Sequence, residues 1–278
     1  MRVLLVPWIA LLWVASGAGC NGSPGANAAP QTTPSPTPLP AASPTPTPRV
    51  TVKVLHTYPH DRLAFTQGLV VDQGALVEST GLNGKSTLRR VTLTTGAVVK
   101  KVTVPAEYFA EGMTILGNTI YQLTWKGQKG FTYNRETFAK TGEFAYTGEG
   151  WGLTTDGTSL ILSDGTSTLR FLDPNTFAVT RSVTVTSEGL DVSMLNELEF
   201  VQGQVWANVW QTDYIVRIDP KNGNVLAWID LTGLLPASER TAETDVLNGI
   251  AYDSAGNHIY VTGKLWPKLY EVKIVPKP

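Results

Sequence analysis

Cysteine is nearly absent: one residue, Cys20, stands in a chain of 278, which excludes an intrachain disulfide framework and a cysteine-based zinc cluster. Histidine is almost as scarce. His56, His60 and His258 are too few and too scattered for a metal centre and read as surface or sheet-edge residues. No excess of either charge exists, since 22 Lys and Arg stand against 23 Asp and Glu, a net charge of −1. That balance excludes the concentrated basic face a nucleic-acid groove needs. From Arg49 onward no stretch carries the 3.6-residue apolar period and the caps of a long helix. The one long apolar run, which ends at Val14, is too short for a comfortable membrane span.

That run follows Met1 and Arg2 and gives way to Ala15, Ser16, Gly17, Ala18 and Gly19, the charge, length and small-residue exit of a secretory signal over residues 1–19. Cys20 comes next, and the junction resembles the lipobox of bacterial lipoproteins, with Gly17 where Leu is usual. The leader predicts export, with two outcomes: a lipid anchor on Cys20, placing the protein on the cell envelope, or plain cleavage to a soluble secreted protein. Residues 20–48 are Pro, Thr, Ser and Ala with almost no charge. Such a segment buries too little surface to offset its ordering entropy and reads as a disordered linker of polyproline II character.

The folded domain is expected over residues 49–278, where alternating apolar strands are separated by Gly, Asp and Asn turns. Their spacing repeats. Gln67, Glu111, Trp151, Asn196 and Asn248 fall at equivalent points, 44, 40, 45 and 52 residues apart, each followed by a short apolar strand, a turn and a second strand. Each reads as the first residue of its strand. Third and fourth strands follow, such as 168–172 and 179–185, joined by Asp173-Pro174-Asn175-Thr176, which suits a tight reversal. Periods of this size with four strands each are those of propeller blades. The last unit has three strands, and the strand 50–58 has no unit of its own. Joining them predicts an all-β, five-bladed β-propeller closed by pairing the N-terminal strand with the C-terminal blade, without a free edge.

In such a fold the first residues of the inner strands face one mouth. A second ring falls at the exit of each second strand: Gly81, Trp125, Gly165, Trp210 and Lys264. Together the rings supply a carboxylate, three indoles, three amides and an ammonium. Positions that only pack tend toward one residue type, so this mixture predicts an aromatic pocket with convergent polar groups. Trp206, Trp228 and Trp266 are assigned to packing between blades instead. The connection 231–244 is expected over the mouth, as a lid or as a tolerated surface insertion.

Phe65-Thr66-Gln67-Gly68-Leu69, Phe109-Ala110-Glu111-Gly112, Gly150-Trp151-Gly152-Leu153, Leu195-Asn196-Glu197-Leu198-Glu199, Trp206-Ala207-Asn208-Val209-Trp210, Asp245-Val246-Leu247-Asn248-Gly249 and Thr262-Gly263-Lys264-Leu265-Trp266 resemble the glutaminyl cyclases (glutaminyl-peptide cyclotransferases) of the plant and bacterial type. The resemblance runs from about Tyr58 to Val272. It implies a five-bladed propeller that converts the N-terminal glutamine of peptides or proteins to pyroglutamate with release of ammonia, without cofactor or metal; a monomer is expected. Carried over residue by residue, it implies Glu111 as the acid/base carboxylate, with Gln67, Asn196 and Lys264 as polar catalytic groups. Phe65, Phe109, Trp125, Trp151 and Trp210, with Asn248 from the ring, are the expected substrate-binding residues. Burial of Glu111 against indoles should raise its pKa, while Lys264 pulls the other way. The competing reading is a non-catalytic tethered propeller that binds peptides or glycans through the same mouth.

Overall fold

Short apolar runs joined by turns of positive-φ residues, such as Gln73-Gly74 and Gln202-Gly203, fold into successive antiparallel hairpins. The computed structural model describes residues 46–277; the leader, Cys20 and the linker up to residue 45 lie outside the described residues. Three units are separate four-stranded antiparallel sheets. The first holds Thr66–Asp72, Ala75–Thr80, Thr87–Val91 and Val98–Thr103; the second Ala110–Leu116, Thr119–Thr124, Lys129–Asn134 and Lys140–Ala145; the third Leu153–Thr155, Leu160–Leu162, Thr168–Leu172 and Val179–Thr184.

Apart from a two-stranded ribbon, Thr186–Ser187 with Leu190–Asp191, the rest form one eight-stranded sheet. Its fourth-unit half runs Leu195–Val201, Gln204–Val209, Tyr214–Ile218 and Val225–Asp230. Its other half runs Arg49–Pro59, Lys268–Pro276, His258–Gly263 and Leu247–Asp253. The strand 49–59 therefore completes the last unit, antiparallel to the C-terminal strand from Val50 opposite Pro276 to Pro59 opposite Lys268. The repeat count did not foresee its other edge, which pairs parallel with the fourth unit through Arg49 and Trp228, Val50 and Ile229, and Thr51 and Asp230. Among the described residues helix is limited to one 3-10 turn, Ala237–Glu239.

Each sheet buries both faces against its neighbours in apolar clusters. One joins Val77 and Leu88 of the first unit to Met113, Ile120 and Phe131 of the second, and another closes the order by joining Leu69 and Leu76 of the first unit to Ala251, Tyr260 and Leu269 of the last. Trp206 and Trp266 pack between the fourth and last units, and Trp228 packs against the cluster between the third and fourth, as expected. His60 corrects the sequence reading: it is buried, with Nδ1 on the Trp266 carbonyl at 2.8 Å and Nε2 on Glu78 at 3.1 Å.

Inner strands of neighbouring units approach to backbone contact. The Gly112 amide donates to the Trp151 carbonyl at 2.7 Å, and a Cβ at Gly112 would lie 2.5 Å from the Leu153 nitrogen. In the fourth unit the corresponding residue is Glu197. It is buried at 1% exposure and accepts the amides of Leu69 at 3.2 Å and Ile250 at 2.8 Å, tying three inner strands together. Burial, reinforced by nearby Glu199, pushes the Glu197 carboxyl well above the usual range, and burial pushes Glu199 up to about 8.

Two outcomes are expected. Gly112→Ala should cost about 1–3 kcal/mol through overpacking, read as a lower urea midpoint with unchanged slope. Glu199 holds its proton more tightly folded than unfolded, so its stabilisation is complete below an unfolded pKa of about 4.3 and is lost as pH rises through about 8. Unfolding free energy should thus fall between pH 5 and pH 9, and Glu199→Gln should flatten part of that fall.

Candidate active site

The ring residues are aimed by β-bulges rather than by strand starts. The pairing slips between Thr66 and Gly68, between Ala110 and Met113, between Leu195 and Leu198, and between Leu247 and Ile250. Gln67, Glu111, Asn196 and Asn248 each sit inside such a slip, one residue into the strand, whereas Trp151 lies two residues before its strand, Leu153–Thr155, whose pairing does not slip. A bulge turns a side chain out of the sheet's alternation. The second ring is pinned beside the first by main-chain bonds. The amides of Gly81, Trp125, Trp210 and Lys264 donate at 2.8–2.9 Å to the carbonyls of Phe65, Phe109, Met194 and Val246, each two residues before a ring position. The third unit departs from this pattern, with the Trp151 amide on the Ser163 carbonyl.

These residues enclose a cavity of about 290 Å³ lined by Phe65, Gln67, Phe109, Glu111, Trp125, Trp151, Asn196, Trp210 and Lys264, completed by Gln211, Asp245 and Val246. Every site residue expected from the sequence except Asn248 and the lipidation site Cys20 is in this wall. Asn248 is fully buried behind it, its Nδ2 donating to the Thr66 carbonyl at 2.9 Å and to Gln67 Oε1 at 3.2 Å. Asn248 thereby holds the side-chain oxygen of Gln67. The glycines of the second ring make room: a Cβ at Gly81 would overlap the Phe109 ring, and one at Gly165 the Trp151 ring.

The aromatic wall is an edge-to-face chain. Phe65 meets Phe109 at 5.9 Å between centroids, Phe109 meets Trp125 at 5.8 Å, and Trp151 meets Trp210 at 5.4 Å. Within it Glu111 and Lys264 are buried, and no hydrogen bond from the described residues stabilises the Glu111 carboxylate. Its pKa is raised well above the usual range first by burial; Lys264 opposes that shift and Glu149 adds to it. Burial lowers the pKa of Lys264, against the pull of Glu111 and Asp245, and its ammonium lies 4.9 Å from the Phe65 centroid. Ser79 donates to the Glu111 carbonyl and is itself held by Gln122 at 2.8 Å, so the backbone carrying the carboxylate is fixed.

Sequence reasoning missed four residues here. Gln211, Asp245 and Val246 belong to the wall, and Glu149 stands behind it, accepting the indole N–H of both Trp125 and Trp151. The repeat held the signal for two of them, since Glu149 and Val246 share with Phe65 and Phe109 the position two before the ring. None of residues 231–244 lines the cavity; Leu231 and Leu235 anchor that connection in the core between the fourth and last units.

A site built this way, with an apolar concave wall, one desolvated carboxylate and a cation held apart from it, is equipped to move a proton within a small substrate. A sequence model of the glutamine cyclotransferase family matches residues 27–274. A glutaminyl-peptide cyclotransferase of Arabidopsis thaliana is 48% identical over 229 residues, which are 80% of this chain and 71% of that relative. The crystal structure of Myxococcus xanthus glutaminyl cyclase superposes with a TM-score of 0.78 at 37% identity, over 84% of this chain and 100% of the other. With a family match over nearly its whole length and relatives this similar, the chain belongs to the glutamine cyclotransferase family.

Proposed function

We propose that the protein is a glutaminyl-peptide cyclotransferase that closes the N-terminal glutamine of a peptide or protein to pyroglutamate in the cavity around Glu111. The observation that carries the reading is the desolvated, unpartnered Glu111 carboxylate facing an aromatic cavity in a member of this family. The neutral α-amine attacks the side-chain amide carbon, so a carbon–nitrogen bond forms and the amine must shed a proton. Glu111 accepts that proton and hands it to the departing nitrogen, which leaves as ammonia as the old carbon–nitrogen bond breaks. A raised pKa suits a group that must work as base and then as acid.

Negative charge gathers on the amide oxygen of the tetrahedral intermediate. Gln67, Asn196 and Lys264, all in the cavity wall, are the available donors, each such contact being worth about 3 kcal/mol. The indoles and phenyl rings hold the flexible glutaminyl side chain folded and keep out water that would hydrolyse the amide. No metal takes part in this scheme, so turnover should survive a strong chelator. The same reading places the four-stranded units as five blades of a propeller. The leader and the small residues before Cys20 support export, with a lipid anchor on that cysteine favoured over plain cleavage to a soluble secreted protein.

Ammonia release from a short Gln peptide by residues 49–278 tests the assignment. Glu111→Gln should lower kcat by about 100- to 10,000-fold while the melting curve stays near wild type; no turnover by folded wild-type protein on several Gln peptides would leave a binding protein. Lys264 stabilises the ionised carboxylate, so Lys264→Met should raise the Glu111 pKa and move the acidic limb of the rate profile to higher pH. The peptide's own amine titrates alike in both assays, so a displacement between variants belongs to the enzyme. In membrane fractionation of cells expressing the full chain, Cys20→Ala should release the protein into the soluble fraction.

A further inference from the structure

Glu149 lies outside the cavity wall, yet one of its oxygens serves two of the wall's rings. Oε2 accepts the indole N–H of Trp125 at 2.6 Å and that of Trp151 at 2.9 Å, and the two indoles come from different units. Each indole has a single polar atom, its N–H donor, so one carboxylate oxygen fixes the rotation of both rings. The constraint extends further, because Trp151 packs edge-on against Trp210 and Trp125 against Phe109.

Glu149 is itself held. Lys126 stands 3.7 Å from Oε1 with its ammonium 4.1 Å from the Trp125 centroid, and Arg170 donates to the Glu149 main-chain carbonyl at 3.2 Å while pairing with Asp164 at 3.4 Å. The two indole bonds help hold its carboxyl below the usual range, so it is ionised at neutral pH. A residue that only packed at this position would resemble Phe65, Phe109 or Val246; an acceptor with two donors aimed at it does something else.

We propose that Glu149 is a positioning residue of the site, setting the Trp125 and Trp151 walls in the register that folds the glutaminyl side chain for ring closure. The inference rests on the cyclotransferase reading. Glu149 touches neither Glu111 nor the cavity, but its charge reaches Glu111. The charged groups acting on Glu111 are Lys264, which favours the ionised form, and Glu149, which opposes it. Asp245 acts on Lys264, Lys126 partly offsets Glu149, and Tyr146 responds to the Glu111 charge.

Two variants separate geometry from charge. Glu149→Gln keeps an acceptor oxygen and loses the charge; Glu149→Ala loses both. The alanine variant should lose about tenfold or more in kcat/KM for a Gln peptide, the scale expected of a misplaced wall. Its tryptophan emission should shift to the red and become more open to acrylamide quenching. The glutamine variant should recover most of the kcat/KM and the emission. Its acidic limb should move to lower pH, because removing a negative neighbour eases ionisation of Glu111. An alanine variant with wild-type kcat/KM and emission would overturn the proposal, as would a glutamine variant no better than alanine or one whose limb stays in place. The emission comparison needs no turnover, so it judges the positioning role even where wild-type protein fails to cyclise Gln peptides.

Discussion

Everything at the mouth depends on how closely the inner strands approach one another. At Gly112 and Gly152 a Cβ would overlap backbone atoms of the next unit, and the Gly112 amide bonds directly to the Trp151 carbonyl. In four of the five inner strands the pairing with the hairpin partner also slips at the start of the strand. Those slips turn Gln67, Glu111 and Asn196 into one cavity. Close approach and slipped pairing together set the site. Where the fourth unit has Glu197 in place of glycine, the carboxylate reaches the amides of Leu69 and Ile250, and the close approach becomes a hydrogen-bonded tie.

The cavity then works by withholding solvation. Its aromatic walls raise the pKa of Glu111 and lower that of Lys264, and the attraction between the two charges partly opposes both shifts. A carboxylate that is poorly solvated and lacks hydrogen bonds gains from taking a proton, yet the nearby ammonium keeps its ionised form within reach. In the proposed chemistry that balance allows one group to accept a proton from the attacking nitrogen and return it to the leaving one. The tryptophans have two roles in this account: they remove water from Glu111 and they shape the substrate.

The repeat spacing carried most of this. Gln67, Glu111, Trp151 and Asn196 recur at one offset near the strand starts, and Trp125, Trp210 and Lys264 at another along the second strands, so both sets are legible in the sequence. The missing fourth strand of the last unit pointed to Arg49–Pro59, since an unpaired edge has to be satisfied somewhere. Three-dimensional facts with no local signature were not legible. Asn248 shares the ring offset but turns inward onto Gln67. His60 looks like an ordinary exposed residue in sequence and is buried against Glu78. The parallel pairing of Arg49–Thr51 with the fourth unit links residues far apart in the chain. Gln211 and Asp245 follow no offset of their own and enter the wall through neighbouring turns.

The account turns on Glu111 being a desolvated, proton-hungry carboxylate in the free protein, and that can be observed without any reaction. A carbon-13 NMR titration of the Glu111 carboxyl, assigned by its loss in Glu111→Gln, should show a midpoint well above the ordinary glutamate value of about 4.3. A midpoint at the ordinary value would show that the walls do not withhold water from Glu111, and the proposed relay would lose its physical basis.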